Sequence, residues 1–62
     1  MNINIKDQWG NTWSINPLDI DRVERRKSNC LVHLVDGSTI GIDVHEYRYL
    51  VPKIRAREIH HG

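Results

Sequence analysis

Residues Cys30 to Val44 read CLVHLVDGSTIGIDV. Two apolar runs flank Asp36-Gly37, and Asp-Gly between alternating hydrophobic residues is a strong signal for a β-hairpin. The reason is conformational, because a two-residue type I′ turn needs positive φ at both central residues. The sequence therefore predicts a hairpin that turns at Asp36-Gly37.

A two-residue loop also fixes which residues of the two strands, about 30–35 and 38–44, share a face. Side chains alternate across a strand, so one face collects most of the large apolar residues and is the expected core. That face holds Leu31, His33, Val35, Ile40, Ile42 and Val44. The first strand is apolar on its other face too, so we expect both of its sides to be covered. Gly41 is expected to mark a bend or bulge.

The N-terminal residues predict a second hairpin. Residues 2–6 and 12–16 both alternate between apolar and polar side chains, which is typical of half-buried strands. A two-residue turn at Gly10-Asn11 would place their apolar residues on opposite faces, whereas a three-residue loop at 9–11 places them together. We expect the longer loop, with Trp9 at its tip.

A third strand is expected at residues 21–27, between these two hairpins. Asn16-Pro17 ends the second strand, because proline lacks the N–H needed by a sheet and restricts the residue before it. The next turn is expected at Ser28-Asn29.

The C-terminal segment changes to a helical period, with apolar residues at i, i+3, i+4 and i+7. These residues are Tyr47, Leu50, Val51 and Ile54. We expect a helix of about residues 44–51, capped by Asp43 with Glu46, and a kink or break near Pro52. Residues 56–62 are expected to form a frayed tail.

The composition agrees with a β-rich fold. Eight Ile and five Val stand against four Leu and one Ala, and β-branched residues favour strands. The chain of 62 residues is expected to form one small domain of mainly β (α+β) class. Two architectures remain open: a small antiparallel β-barrel, or a curled five-stranded sheet with one C-terminal helix.

Charge and apolar runs indicate which partners and compartments to expect. The net charge is +1, too small for a strong field directed at nucleic acid. Cys30 has no second cysteine to pair with, which suits a reducing compartment. No apolar run approaches the ~20 residues of a membrane span, and no signal-peptide pattern is present. We expect a cytoplasmic protein that does not contact a membrane.

Catalytic and metal-binding patterns are weak. Cys30 and the four histidines offer zinc ligands, but their spacing matches no zinc module. No pair of carboxylates stands out, and no serine or cysteine has a recognisable base beside it. We therefore expect no catalytic residue, no metal, no cofactor and no enzymatic activity.

Basic and aromatic residues are the best candidates for partner binding. Exposed aromatic residues beside arginine are enriched at the centres of interfaces. The candidates are Trp9, Arg22, Arg25, Arg26, Lys27, Arg48 and Tyr49. Three interpretations remain open for the basic cluster: a charged edge strand that discourages aggregation, a contact with an acidic protein, or a contact with phosphates. Trp9 either remains exposed or packs onto its own hairpin or the helix.

Edge strands also suggest self-association. Residues 1–6 or 22–27 are expected to form an open edge, and strand addition at such an edge would give a homodimer.

The arrangement of turns and apolar residues resembles the small flagellar-operon proteins of the FlbD/SwrD type. The resemblance spans roughly residues 3 to 54. It rests on Gly10, Trp13, Ile15-Asn16-Pro17, Ile20, Val23-Glu24, Val32 to Leu34, Asp36-Gly37, Ile42, Val44 and Ile54. It implies a small β-rich fold and a flagellar accessory role.

The small size and the lack of catalytic motifs favour a non-enzymatic interaction module. We expect it to bind and block or adapt a larger protein or nucleoprotein complex, as a phage-type inhibitor of a host defence complex would. The alternatives are a nucleic-acid-binding small β-barrel protein and a flagellar accessory protein.

Overall fold

The computed structural model describes residues 2–54 and 57–60. These residues form six strands and one α-helix. In chain order the elements are β1 (Ile3–Lys6), β2 (Thr12–Ile15), β3 (Ile20–Arg25), β4 (Cys30–Leu34), β5 (Thr39–Ile42), α1 (Val44–Leu50) and β6 (Arg57–His60). The predicted mainly β (α+β) class, with five antiparallel strands and a C-terminal helix, is confirmed.

The strands form two open sheets, and the predicted alternative of a closed barrel does not occur. β1 and β2 form a two-stranded sheet, and the other sheet has the order β5-β4-β3-β6. A 3-10 helical turn, Pro17–Asp19, separates β2 from β3. The Asn16 side chain accepts a hydrogen bond from the Leu18 N–H at 3.0 Å and so caps this turn. The turn redirects the chain, so that β3 pairs with later strands.

The prediction that residues 56–62 form a frayed tail is wrong for Arg57–His60. This segment is β6, which pairs in parallel with β3, whereas residues 55, 56, 61 and 62 lie outside the described part. Parallel strands need a long crossover connection, and the segment containing α1 precedes β6. β3 therefore lies between β4 and β6, so residues 22–27 do not form the expected open edge.

The third strand and its turn also differ from the prediction in position. β3 is Ile20–Arg25 rather than 21–27, and its register shifts between Ile20 and Arg22. Arg26 N donates to Asn29 O at 2.9 Å, so the turn lies at Lys27 and Ser28. The bulge expected at Gly41 occurs instead at the start of β3.

The β4–β5 hairpin forms as predicted, but its register differs by one residue. Leu34 N donates to Ser38 O at 2.8 Å, and Gly37 N donates to Leu34 O at 3.0 Å. The loop therefore has three residues, 35–37, and ends on Gly37 with φ of 96°. Such loops combine a type I turn with a left-handed residue, usually glycine.

This register reverses the predicted core face of β4, because a shift of one residue in the pairing moves the side chains of that strand to the other side. Ile40 and Ile42 of β5 lie in the core as predicted. Val32 lies opposite Ile40, and both are fully buried in the core. The predicted core residues Leu31 and His33 point to the other face, opposite Gly41 and Thr39. The exposed Val35 lies in the loop.

The β1–β2 hairpin has the same type of loop. Asp7 N donates to Asn11 O at 2.8 Å, and the loop residue Gly10 has φ of 90°. Ile5 lies opposite Trp13, so the apolar residues of both strands share one face, as predicted. The loop comprises residues 8–10 rather than 9–11.

The helix begins and ends close to the predicted positions. Asp43 Oδ1 accepts a hydrogen bond from Glu46 N at 2.8 Å, which caps the N-terminus. A 3-10 turn, Val51–Lys53, follows directly. Pro52 lies near its start, where its missing N–H costs nothing. The predicted break near Pro52 is therefore present.

One core joins the two sheets and the helix. Its described members are buried side chains from β1 to β5 and from α1: Ile5, Ile15, Ile20, Val23, Cys30, Val32, Ile40, Ile42, Tyr47 and Leu50. In the part of the chain that the structure describes, no helix has the length and apolar character needed to cross a membrane.

Candidate functional site

A buried carboxylate holds the loop that carries Trp9. Asp7 is 8% exposed, and its Oδ1 accepts hydrogen bonds from the N–H groups of Trp9 and Asn11, both at 2.9 Å. Its Oδ2 accepts from Trp13 Nε1 at 2.9 Å. The Trp13 indole, followed by these backbone donors, keeps the pKa of Asp7 below its ordinary value although burial acts against this. The loop is thus fixed in a conformation that leaves Trp9 74% exposed.

The same loop is docked onto the larger sheet through Gln8. Gln8 N donates to Gly41 O at 3.0 Å, and Asn29 Nδ2 donates to Gln8 Oε1 at 3.4 Å. Gly41 permits this approach, because a Cβ there would lie 3.2 Å from Gln8 Nε2. These contacts place the loop that carries Trp9 beside β5 and the β3–β4 turn.

Helix α1 reaches the same end of the molecule. Glu46 Oε2 accepts a hydrogen bond from Lys6 N at 3.1 Å, and the Arg25 guanidinium lies 5.4 Å from the centre of the Tyr47 ring. The 7–11 loop, the β3–β4 turn and α1 therefore lie together. We call the surface formed by residues 7–11, 25–29 and 44–50 the Trp9 end.

Six of the seven candidate residues belong to the three segments that define the Trp9 end. They are Trp9, Arg25, Arg26, Lys27, Arg48 and Tyr49. The seventh, Arg22, lies further along β3, opposite His33. Its guanidinium lies 2.6 Å from Asp21 Oδ2.

The basic residues do not form one cluster of unpaired charges. Arg26 Nε lies 3.1 Å from Glu24 Oε2, and Glu24 Oε1 lies 3.0 Å from His33 Nε2. Arg25 lies on the face of β3 opposite to Glu24, and its guanidinium lies over the Tyr47 ring. Such contacts reduce the number of cations that can face phosphates together.

Tyr49 lies on α1 beside a groove. Its side chain is 52% exposed, and Lys53 Nζ lies 4.6 Å from the centre of its ring, a cation–π contact. The groove is lined by Asn4, Ile5, Lys6, Thr12, His45, Glu46 and Tyr49. Arg48 is exposed on the same helix.

The opposite end of the molecule is apolar and acidic. Leu18 is 85% exposed and Val35 65% exposed, and Val35 N donates to Asp19 O at 2.8 Å. Asp36 is nearby, and the Ser38 backbone N–H and then the Ser38 side chain lower its pKa. Asp19 directly precedes β3 and Asp36 follows β4, so both carboxylates lie at the end of these strands opposite to the Trp9 end.

Sequence reasoning missed Asp7 and Gln8, which position Trp9. A signal was available for Asp7, since Asp at the start of a turn commonly bonds the backbone N–H two residues later. No pattern indicated Gln8, because its contact with Gly41 joins two separate sheets.

The described side chains give no arrangement typical of a metal site. Among residues 2–54, no group of three His, Cys, Asp or Glu side chains is close enough to hold a metal ion. Cys30 is fully buried, on the face of β4 opposite to His33. The side chains of His60 and His61 lie outside the described part.

No protein-family model matches this chain, and no curated protein or solved structure is significantly similar to it. The resemblance to the small flagellar-operon proteins therefore remains a prediction.

Proposed function

We propose that this protein is a non-enzymatic interaction module that binds a larger protein or nucleoprotein complex through the Trp9 end and blocks or adapts it. A phage-type inhibitor of a host defence complex is the form we favour. The flagellar accessory role belongs to the same class, and the identity of the partner separates the two.

The observation that carries this proposal is the fixed exposure of Trp9. An apolar side chain of this size gains free energy on leaving water, and tryptophan is among the residues enriched at binding hot spots. Asp7 accepts hydrogen bonds from two backbone N–H groups of the loop and from the Trp13 indole, so the backbone of Trp9 is held in one conformation before a partner binds. Binding then costs less conformational entropy than it would for a flexible loop.

The chemistry around Trp9 favours an acidic partner surface. Lys27 and Arg48 are exposed at the Trp9 end, and Arg26 is more than half exposed although it pairs with Glu24. Complementary charge steers partners together and fixes their orientation. We expect a partner with an apolar pocket for Trp9, bordered by carboxylates.

Affinity capture with matched variants tests the proposal. The immobilised protein is exposed to bacterial lysate, and bound proteins are identified by mass spectrometry and then titrated in purified form. We expect Trp9→Ala to weaken binding about tenfold or more, as for a hot-spot residue. Leu18→Ala is the matched control, because Leu18 is similarly exposed but lies at the opposite end.

Two results would count against the Trp9 end. One is a partner that binds the wild type and Trp9→Ala equally well, and the other is loss of binding only in Leu18→Ala. Tyr49→Ala and Lys27→Ala extend the map, and we expect each to have a smaller effect than Trp9→Ala.

Direct nucleic-acid binding is the less favoured alternative, because Arg22 and Arg26 already contact carboxylates. Fluorescence anisotropy over a salt series distinguishes it. Binding to phosphates would weaken with salt by a slope of about −0.7 to −0.9 per contact. In Arg25→Ala/Arg26→Ala that slope would flatten by roughly two units.

A further inference from the structure

The outer edge of β2 has unpaired peptide groups. Residue pairs in an antiparallel ladder alternate between hydrogen-bonded and non-hydrogen-bonded ones. The Asp7–Asn11 pair is hydrogen-bonded, and so is the Ile5–Trp13 pair, which lies two residues further along the ladder. The peptide groups of Thr12 and Ser14 therefore point away from β1. Among residues 2–54 and 57–60, none bonds to these outward N–H and C=O groups.

The outer edge of β1 differs, because α1 covers part of it. The outward N–H of Lys6 donates to Glu46 Oε2 at 3.1 Å. A charged side chain thus already occupies the place that an added strand would need. Of the two edges of this hairpin, β2 is the one open to a further strand.

The β2 edge also lacks the features that normally prevent strand addition. Exposed edges are usually protected by charged side chains, proline or bulges. Residues 11–16, NTWSIN, contain no charge, and the first proline follows at Pro17. Two copies of this uncharged strand can meet without like-charge repulsion.

Trp13 indicates that there is space beside this edge. Its side chain lies on the same face as Ile5 and Ile15, which are buried in the core. Trp13 itself is 41% exposed, and Thr12 and Ser14 on either side of it are exposed too, so the described residues leave this part of β2 accessible. A neighbouring strand would cover this exposed part of the ring.

We propose that the β2 edge binds a second copy of the same chain in antiparallel orientation, around a two-fold axis at Trp13. Thr12 of one copy then lies opposite Ser14 of the other, and these two pairs form four N–H···O=C hydrogen bonds. The two Trp13 side chains meet in a non-hydrogen-bonded pair, where cross-strand side chains are closest. Aromatic pairs add stability beyond the area they bury.

The dimer is expected to be weak, since each edge contributes only four strand residues and stable interfaces bury well over 1,000 Å². We expect a dissociation constant on the order of 0.1–1 mM. Sedimentation or light scattering should show a concentration-dependent increase above the monomer mass of 7.3 kDa.

Amide hydrogen exchange of the wild-type protein tests the edge directly. The amides of Thr12 and Ser14 should become more protected as concentration rises to about 2 mM, a few times the expected dissociation constant. The Asn4 amide is the internal control, because it points outward on β1 and should not change. This measurement needs no variant and therefore does not depend on the folding of one.

A pair of double variants tests the register. Thr12→Glu/Ser14→Glu places like charges opposite each other twice across the two-fold axis, whereas Thr12→Glu/Ser14→Lys places opposite charges there. Both positions are exposed in the monomer, and both variants share the change at Thr12. We expect the first variant to dimerise about tenfold more weakly than the second.

Each outcome decides the proposal. Protection at Thr12 and Ser14 together with the expected order of the two variants supports it. If the wild-type protein is still a monomer at 2 mM, about several times the expected dissociation constant, the proposal is wrong. If the two folded variants dimerise equally well, Thr12 does not pair with Ser14 and the assigned register is wrong. If the Asn4 amide becomes protected instead, the contact lies on the β1 edge.

Discussion

At the scale of single residues, Asp7 shows how one buried acid organises a surface. Its carboxylate bonds to two backbone donors and to the Trp13 indole. Charged groups are rarely buried unless their hydrogen-bonding capacity is satisfied, and Asp7 meets this condition. These three hydrogen bonds offset the cost of burying Asp7 and hold the backbone of the loop that carries Trp9.

Stability should fall at low pH, in part because of Asp7. Its pKa in the folded protein lies below the ordinary value of 3.8, so its contribution is complete above that value and is lost as pH falls through the folded-state pKa. We expect Asp7→Asn to lower Tm by several degrees at pH 7. The difference in Tm between this variant and the wild type should become smaller below about pH 3. Thermal unfolding followed by circular dichroism measures both effects.

Asp36→Asn is the control for this experiment. The pKa of Asp36 is also lowered, mainly by the Ser38 N–H, so its removal should also reduce the pH dependence. Only Asp7→Asn should change the NMR signal of the Trp13 indole N–H. If the difference in Tm between wild type and Asp7→Asn stays constant down to pH 2, about two units below the ordinary pKa, the ionised Asp7 carboxylate does not stabilise the loop as argued.

Among the elements, the two hairpin loops have the same length and the same position of glycine. Each loop has three residues and ends on a glycine with positive φ, Gly10 and Gly37. Asp36-Gly37 correctly indicated a hairpin, but Asp-Gly is compatible with two-residue and three-residue loops. The difference of one residue determined which side chains of β4 entered the core.

Gly37→Ala should destabilise the β4–β5 hairpin through its backbone alone. A Cβ at Gly37 meets no atom within 4 Å, so the cost is that of holding a non-glycine residue at positive φ. We expect the free energy of unfolding to fall by about 1–2 kcal/mol, measured by urea denaturation. Gly37→Asn is the control and should cost less, because asparagine tolerates this region better. Equal losses in both variants would argue against a conformational cause.

At the scale of the whole molecule, α1 joins two sheets that share only a few direct bonds. Its Leu50 is fully buried among residues of both sheets, and Glu46 bonds to β1. A chain of this size buries only about 60% of its unfolded surface. Two of the ten core residues that the structure describes, Tyr47 and Leu50, come from α1, so the loss of either removes part of an already small core.

Leu50→Ala should remove much of the protein's stability. Truncation of a buried leucine costs about 2–5 kcal/mol, which is comparable to the total stability of a small domain. We expect a clear loss of Tm and a measurable unfolded fraction at 25 °C, detected by circular dichroism and NMR. Val51→Ala is the matched control, since Val51 is the next residue and is 39% exposed. A similar loss in both variants would contradict the central place of Leu50.

Local structure was the part of this fold that the amino-acid pattern predicted well. Period-two alternation identified both hairpins, and the change to a helical period located α1 and its break near Pro52. The place of Trp9 at the loop tip was also predicted, because it follows from the pairing that puts the apolar residues of both strands on one face, whereas its exposure was left open. These features depend on neighbouring residues, whose preferences can be read directly from the chain.

Tertiary structure alone decided the register of the β4–β5 hairpin, the place of β6 and the composition of the Trp9 end. Two loop lengths fit Asp36-Gly37 locally, and only the packing of Val32 and Ile40 against the rest of the core selects one. Likewise, Gln8 meets Gly41 across 33 positions of sequence, a contact that no local pattern encodes. Such choices depend on which distant surfaces are available to bury, and that becomes defined only when the whole chain folds.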